Sequence, residues 1–108
     1  MKARFPILFC LTLAAGAAAA GLPLRATDLL IFGNARGGTP LMEAVQTMGI
    51  DLPLKALVWQ DEAGTTWVSY NDPAWLAQRH GLGNEVSGPL SAMTALLEAL
   101  ATEAAAPA

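Results

Sequence analysis

The residues able to do chemistry in this 108-residue chain are few and widely spaced. Gly33-Asn34-Ala35-Arg36-Gly37-Gly38-Thr39 stands between an apolar run and a helix-like repeat. Backbone N–H groups at such a place, with the dipole of the helix behind them, can hold an anion. Gly33 and Gly38 have the spacing of a phosphate loop, but Thr39-Pro40 fills the positions where such a loop carries Lys and Ser or Thr. The phosphate-binding ammonium and the magnesium ligand are both missing, which excludes nucleotide hydrolysis. What remains is a weak anion site on Arg36, set against the plainer reading of a turn that needs the backbone freedom of glycine.

His80 is the single histidine. A general base needs an orienting acid and a nucleophile. Asp72 precedes His80 by about two helical turns and is occupied as a helix cap, while Tyr70 offers a phenol. A degenerate or truncated enzyme-like domain using Asp72, His80 and Tyr70 is therefore the alternative reading, and the leading one names no catalytic residue. One histidine among scattered carboxylates lacks metal-ligand spacing, so neither a metal nor a cofactor is expected. Asp61 and Glu62 are adjacent but belong to a turn. Trp59, Trp67, Trp75 and Tyr70 suggest a ligand platform, although in so small a domain such side chains more often form the core.

Composition narrows the classes further. The chain is 54% hydrophobic and 14% charged, which fits one folded domain and excludes a disordered one. Lys2 and Arg4, the apolar run Phe5 to Leu13 and the small residues Ala14 to Ala20 have the parts of an export signal over residues 1–20. That run is short for a membrane span, so no stable membrane anchor is expected. Removal of residues 1–20 would leave 88 residues without cysteine and would carry the formal charge from −3 to −5 as Lys2 and Arg4 leave. Nucleic acid is excluded as a partner by that acidity. A domain of this size buries only about 60–65% of its unfolded surface, which favours self-association as a dimer.

The elements that must position these residues follow from local signals. Asp28 to Phe32 reads as a buried strand, and Thr39 with Pro40 as the N-cap and first position of a helix whose apolar side is Leu41, Val45 and Met48, stopped by Gly49. Asp51-Leu52-Pro53 leads into a β-hairpin, Leu54 to Gln60 and Thr65 to Tyr70, turned at Asp61-Glu62-Ala63-Gly64. That register sets Trp59 opposite Trp67 and Val58 opposite Val68. Asp72-Pro73 starts a short helix that ends at Gly81, and Gly81 to Gly88 reads as a loop. A last helix from about Pro89 to Glu103 carries the stripe Leu90, Met93, Leu97 and Leu100.

Leu24 to Asn34 (LRATDLLIFGN), Gly38 to Met42 (GTPLM), Gly49 to Gly64 (GIDLPLKALVWQDEAG), and Trp67 to Leu82 with its WVSYNDP and AQRHGL resemble the bacterial family known as domain of unknown function 302. The resemblance covers about half the chain. It implies a small α+β domain with one sheet in strand-helix-strands-helix order, often exported, and implies no activity. Two features depart from the family pattern. A signal-like segment stands where the family carries a further strand and helix, and Thr12-Leu13 replaces an Asp-His pair before the Ala-Ala-Gly run. Phe5 to Leu13 is also readable as a relic of the family's second strand.

The reading is a single truncated α+β domain over residues 21–104, the C-terminal part of the family's domain, with a small sheet of three to four strands including one β-hairpin, packed by two to three helices. Residues 105–108 form a disordered tail. The function read is a small exported binding or interaction module, periplasmic or secreted. If the N-terminal segment is a strand, the location is cytoplasmic. The binding residues are Asn34, Arg36, Gly38, Thr39, Tyr70, Asp72 and His80, sharing one rim of the sheet, with a small anion or carboxylate as ligand. A non-functional gene remnant is the third alternative.

Overall fold

The computed structural model describes residues 7–33 and 35–105. The charged start at Lys2 and Arg4, Asn34, and the tail beyond Ala105 lie outside the described residues. In chain order the elements are β1 (Ile7–Thr12), α1 (Leu13–Ala19), β2 (Thr27–Gly33), α2 (Ala35–Ala44), a 3-10 turn (Gln46–Ile50), β3 (Leu54–Gln60), β4 (Thr66–Tyr70), α3 (Pro73–His80), a second 3-10 turn (Asn84–Val86) and α4 (Ser87–Ala105). The four strands form one open antiparallel sheet in the order β1-β2-β3-β4. The α+β reading stands, with α1 as an added helix. Ile7–Thr12, inside the signal-like segment, forms a strand whose residues pair with Gly33 back to Asp28 of β2.

The hairpin forms where turn chemistry demands it. Asp61 N–H donates to the Thr65 carbonyl at 2.9 Å, and Gly64 adopts φ 85°, a left-handed angle that glycine takes without a Cβ clash. The expected cross-strand pairs Trp59 with Trp67 and Val58 with Val68 are present. α3 is fixed at both ends: the Asp72 side chain accepts from the Ala74 N–H at 3.0 Å, and Gly81 closes the helix at φ 68°.

The even-numbered strand residues face the helices. Leu54 from β3 joins Leu41, Met48, Leu76, Val86, Met93 and Leu97 in the core, with Phe32 and Tyr70 packed against them. Burying each large side chain of this kind stabilises the fold by about 1.5–3 kcal/mol. This core lies under β3 and β4. β2 is therefore half-buried along its length rather than fully buried as its apolar run suggests.

Three local expectations give way to packing. α2 begins at Ala35, so Thr39 is an exposed residue within the helix and not its cap. Gly38 and Leu41, three apart on one face, are both buried, and that burial outweighs the poor helix propensity of Gly37-Gly38 and the one backbone bond that Pro40 cannot donate. The helix does not run on to Gly49. It stops at Ala44, Val45 is extended, and the chain rewinds as the 3-10 turn that delivers fully buried Met48 to the core. Gly49 lies inside that turn, packed against Met42. The tryptophans are not core: Trp67 and Trp75 are each about half exposed, at 50% and 53%.

Candidate functional site

The 3-10 turn and α3 bring together the most connected group of polar side chains among the described residues. Leu76 and Ala77 bury one face of α3, and His80, one turn beyond Leu76, continues that face toward the turn. Arg79 and His80 also lie in the last turn of α3, where positive charge is favoured by the helix dipole. Asp51, the residue that closes the 3-10 turn, is their common acceptor. Its Oδ2 is 2.5 Å from His80 Nε2, and Arg79 Nη1 donates to both carboxylate oxygens at 3.1 Å. The His80 side chain is 7% exposed, that of Asp51 13% and that of Arg79 48%.

This arrangement dictates the histidine tautomer. An ionised carboxylate only accepts, so Nε2 carries the proton that it donates to Asp51. In the neutral ring Nδ1 is then an acceptor, and it faces the exposed hydroxyl of Thr47 at 3.5 Å. The order is hydroxyl, imidazole, carboxylate, with a guanidinium holding the carboxylate. Neither Asp51 nor Thr47 was marked by sequence, since each is about thirty residues from His80 and only tertiary packing joins them.

The rim expected from sequence has its geometry but not its cluster. β2 and β4 both run antiparallel to β3, so they are parallel to each other and the ends at Gly33 and Tyr70 lie at one rim. Arg36 is exposed in the first turn of α2, Gly38 is buried within that helix, and Thr39 points outward. Tyr70 packs on the core from the helix-facing side of β4. Asp72 is occupied as the cap of α3, and His80 is engaged by Asp51 at the opposite end of that helix. No hydrogen bond or ion pair among the described residues joins Arg36, Tyr70, Asp72 and His80. No group of three or more His, Cys, Asp or Glu side chains among the described residues is placed to hold a metal ion.

Asp61 has its own role in the hairpin. Its Oδ1 accepts from the Ala63 and Thr65 N–H groups at 2.9 and 3.0 Å, and its Oδ2 from the Trp67 indole at 2.8 Å. The Trp67 indole N–H and the Thr65 amide hold this carboxyl below its ordinary 3.8.

The odd-numbered side of the sheet is a second candidate surface. Register puts Phe9, Leu11, Leu29, Ile31, Leu57 and Trp67 on that side, and none of them belongs to the core. Phe9 is 61% exposed. Trp59 and Trp67 stack across the hairpin with ring centroids 6.3 Å apart, and the Trp59 indole donates to Ser69 Oγ at 2.9 Å. On the opposite side, a cleft of about 400 Å³ opens between α4 and the sheet, lined by Leu30, Val58, Val68, Leu96 and Leu100 among others and, among the described residues, by no charged one.

Comparison with known proteins places this architecture. A solved structure titled as an uncharacterized conserved protein DUF302 from Bacillus stearothermophilus superposes with a TM-score of 0.76, over 90% of this chain and 75% of that one. At 19% identity that likeness shows the fold alone. Fluoride-specific ion channel FluC 1 of Brucella suis is 53% identical over 79 residues, which make up 73% of this chain and 31% of that protein. FluC 1 of Brucella abortus and FluC 2 of Brucella melitensis match equally well over 29% of their length. The chain thus spans under a third of those curated relatives. No helix among the described residues is long and apolar enough to cross a membrane. The model of the family described as domain of unknown function DUF302 matches residues 1–100, and this chain belongs to that family.

Proposed function

We propose that this chain is a small interaction module, and that the odd-numbered face of its sheet docks on a membrane channel of the kind with which its Brucella relatives share their names. The observation that carries the reading is the uncovered face itself. The exposed Phe9, Leu11 and Trp67 on one face, which also carries Lys55 and Ser69, on a domain with so small a core, mark a contact surface rather than a solvated one. The relatives support the choice of partner, since the matched segment makes up only 29–31% of proteins named as fluoride channels. On this reading the remaining two thirds or more of each such protein carries the channel, and the module sits against it.

The test is co-purification with the separately expressed remainder of the Brucella suis relative. The wild-type chain should be retained in stoichiometric amount, and Phe9→Lys and Trp67→Lys should each abolish retention. A wild-type chain that washes through, or variants that bind as well as it does, would overturn the reading.

Exposed Arg36, in the first turn of α2 and with no described partner, suits a small anion or carboxylate, fluoride included. Pairing of β1 with β2 supports the alternative in which the N-terminal segment stays in the fold and the module works in the cytoplasm. Intact-mass analysis of the protein from its producing cell separates the two: a chain beginning near Gly21 would mean export. Self-association is a second reading, favoured by the outer edges of β1 and β4, which no strand of the sheet covers. Sedimentation velocity across protein concentrations tests it, and a single monomeric boundary throughout would exclude it.

A further inference from the structure

We propose that Thr47 is an activated hydroxyl that accepts short acyl groups from activated esters and thioesters, with His80 as its general base and Asp51 as the positioning residue. The geometry is independent of the sheet face. A threonine hydroxyl is a poor nucleophile until a base takes its proton as it attacks. Here the base is already aimed. The Asp51 carboxylate can only accept, so it fixes the proton on Nε2 and turns the Nδ1 lone pair to Thr47 Oγ1 at 3.5 Å. Arg79 Nη1, at 3.1 Å from each carboxylate oxygen, holds Asp51 in place. A nucleophile–base separation at the long end of hydrogen bonding is common before substrate binds. The imidazole is nearly buried at 7% exposure, whereas Thr47 is exposed. Base and orienter are thus held inside the fold while the hydroxyl stands at the surface, where a small acyl donor reaches it.

The step balances without a further reactant. Thr47 Oγ1 attacks the carbonyl carbon of the donor, an O–C bond forms, and the hydroxyl proton passes to His80 Nδ1. The bond from that carbon to the leaving oxygen or sulfur breaks, and the leaving group departs with the electron pair. His80 then returns its proton to the leaving group or to water. The products are a Thr47 O-acyl ester and a free alcohol or thiol, with no change of oxidation state.

The test is p-nitrophenyl acetate added to the full chain, followed by peptide mass spectrometry that resolves each acetylated residue over time. Site resolution matters because Cys10, an exposed free thiol, also reacts. Thr47 should acquire its acetyl ester about a hundredfold faster than Thr66, the gain a positioned base commonly supplies. His80→Gln should bring Thr47 down to the Thr66 rate, and Thr47→Ser should retain fast labelling at position 47. Asp51→Asn should slow labelling at Thr47 while Thr66 labels at its wild-type rate, because the imidazole is no longer held to its acceptor. A purely structural Asp51 would leave the ratio of the Thr47 and Thr66 rates unchanged in the folded variant. The melting transition of each variant shows that it is folded. Labelling of wild-type Thr47 no faster than Thr66 would overturn the proposal, whatever the variants do, and so would full-rate labelling in folded His80→Gln.

Discussion

Replacing Asp51 by Ala should destabilise the fold by about 2–3 kcal/mol, and nearly all of that loss should trace to His80 rather than Arg79. Two interactions meet on this carboxylate, and their surroundings differ. His80 is 7% exposed, so removing its acceptor leaves a buried N–H unpaired, and a hydrogen bond to a charged group is worth about 1.5–3 kcal/mol. Arg79 is 48% exposed, its charge is screened by water, and such surface pairs contribute about 0–1 kcal/mol. Asp51→Asn should cost less than Asp51→Ala, near 1 kcal/mol, because the amide oxygen still accepts from Nε2. Arg79→Ala should cost about half a kcal/mol or less. The assay is urea unfolding of the wild type, the three single variants, His80→Ala and the two double variants that complete the cycles. The Asp51–His80 coupling should survive high salt, while the Asp51–Arg79 coupling fades with it. In a domain of this size the Ala variant should melt roughly 10–20 °C below the wild type. An Asp51→Ala protein within about 0.5 kcal/mol of the wild type would refute the reasoning, because it would mean that the 3-10 turn and α3 need no polar link.

Further expectations concern the core, the hairpin and the anion reading. Leu97→Ala, at a residue 2% exposed, should cost about 3–5 kcal/mol, whereas Leu100→Ala, 43% exposed one turn away, should cost under about 1.5 kcal/mol; equal losses in chemical unfolding would mean that α4 is rotated from its described seat. Asp61 sits below its ordinary 3.8 in the folded chain, so its stabilising effect is present above that value and is lost as pH falls through the lower folded value. Asp61→Asn should therefore flatten the acid limb of the melting-temperature profile, and an unchanged limb would remove Asp61 as its cause. Fluoride or sulfate should raise the melting temperature of the wild type more than that of Arg36→Ala, and equal shifts would mean general salt effects alone.

How far the sequence disclosed the fold depended on how local each cause was. The hairpin and α3 were readable because Asp61, Gly64, Asp72 and Gly81 act on bonds within a few residues of themselves. Thr39-Pro40 is an equally strong local signal for a helix start, yet the burial of Gly38 and Leu41 begins α2 at Ala35, five residues before Pro40. The same tertiary demand, for Met48 in the core, breaks the Leu41–Val45–Met48 repeat into a helix and a 3-10 turn. Apolar and aromatic residues on both sides of the strands also hide which side faces the helices, so Trp67 reads as core and is not, while Trp75 lies on the face of α3 away from buried Leu76 and Ala77. Of the candidate site, His80 was visible as the single histidine, but Asp51 and Thr47 were not. Their link to it crosses 29 and 33 positions of sequence and has no spacing to betray it.

The central claim is that the odd-numbered face of the sheet is where the partner binds, and the indoles of Trp59 and Trp67 on that face report on it directly. In a Trp75→Phe chain, which removes the half-exposed indole on α3, saturation with the detergent-solubilised remainder of the Brucella suis relative should shift the fluorescence to shorter wavelength and shield it from acrylamide. Emission and quenching that stay at their free values while the complex forms would contradict the account, since the partner would then be held by another surface.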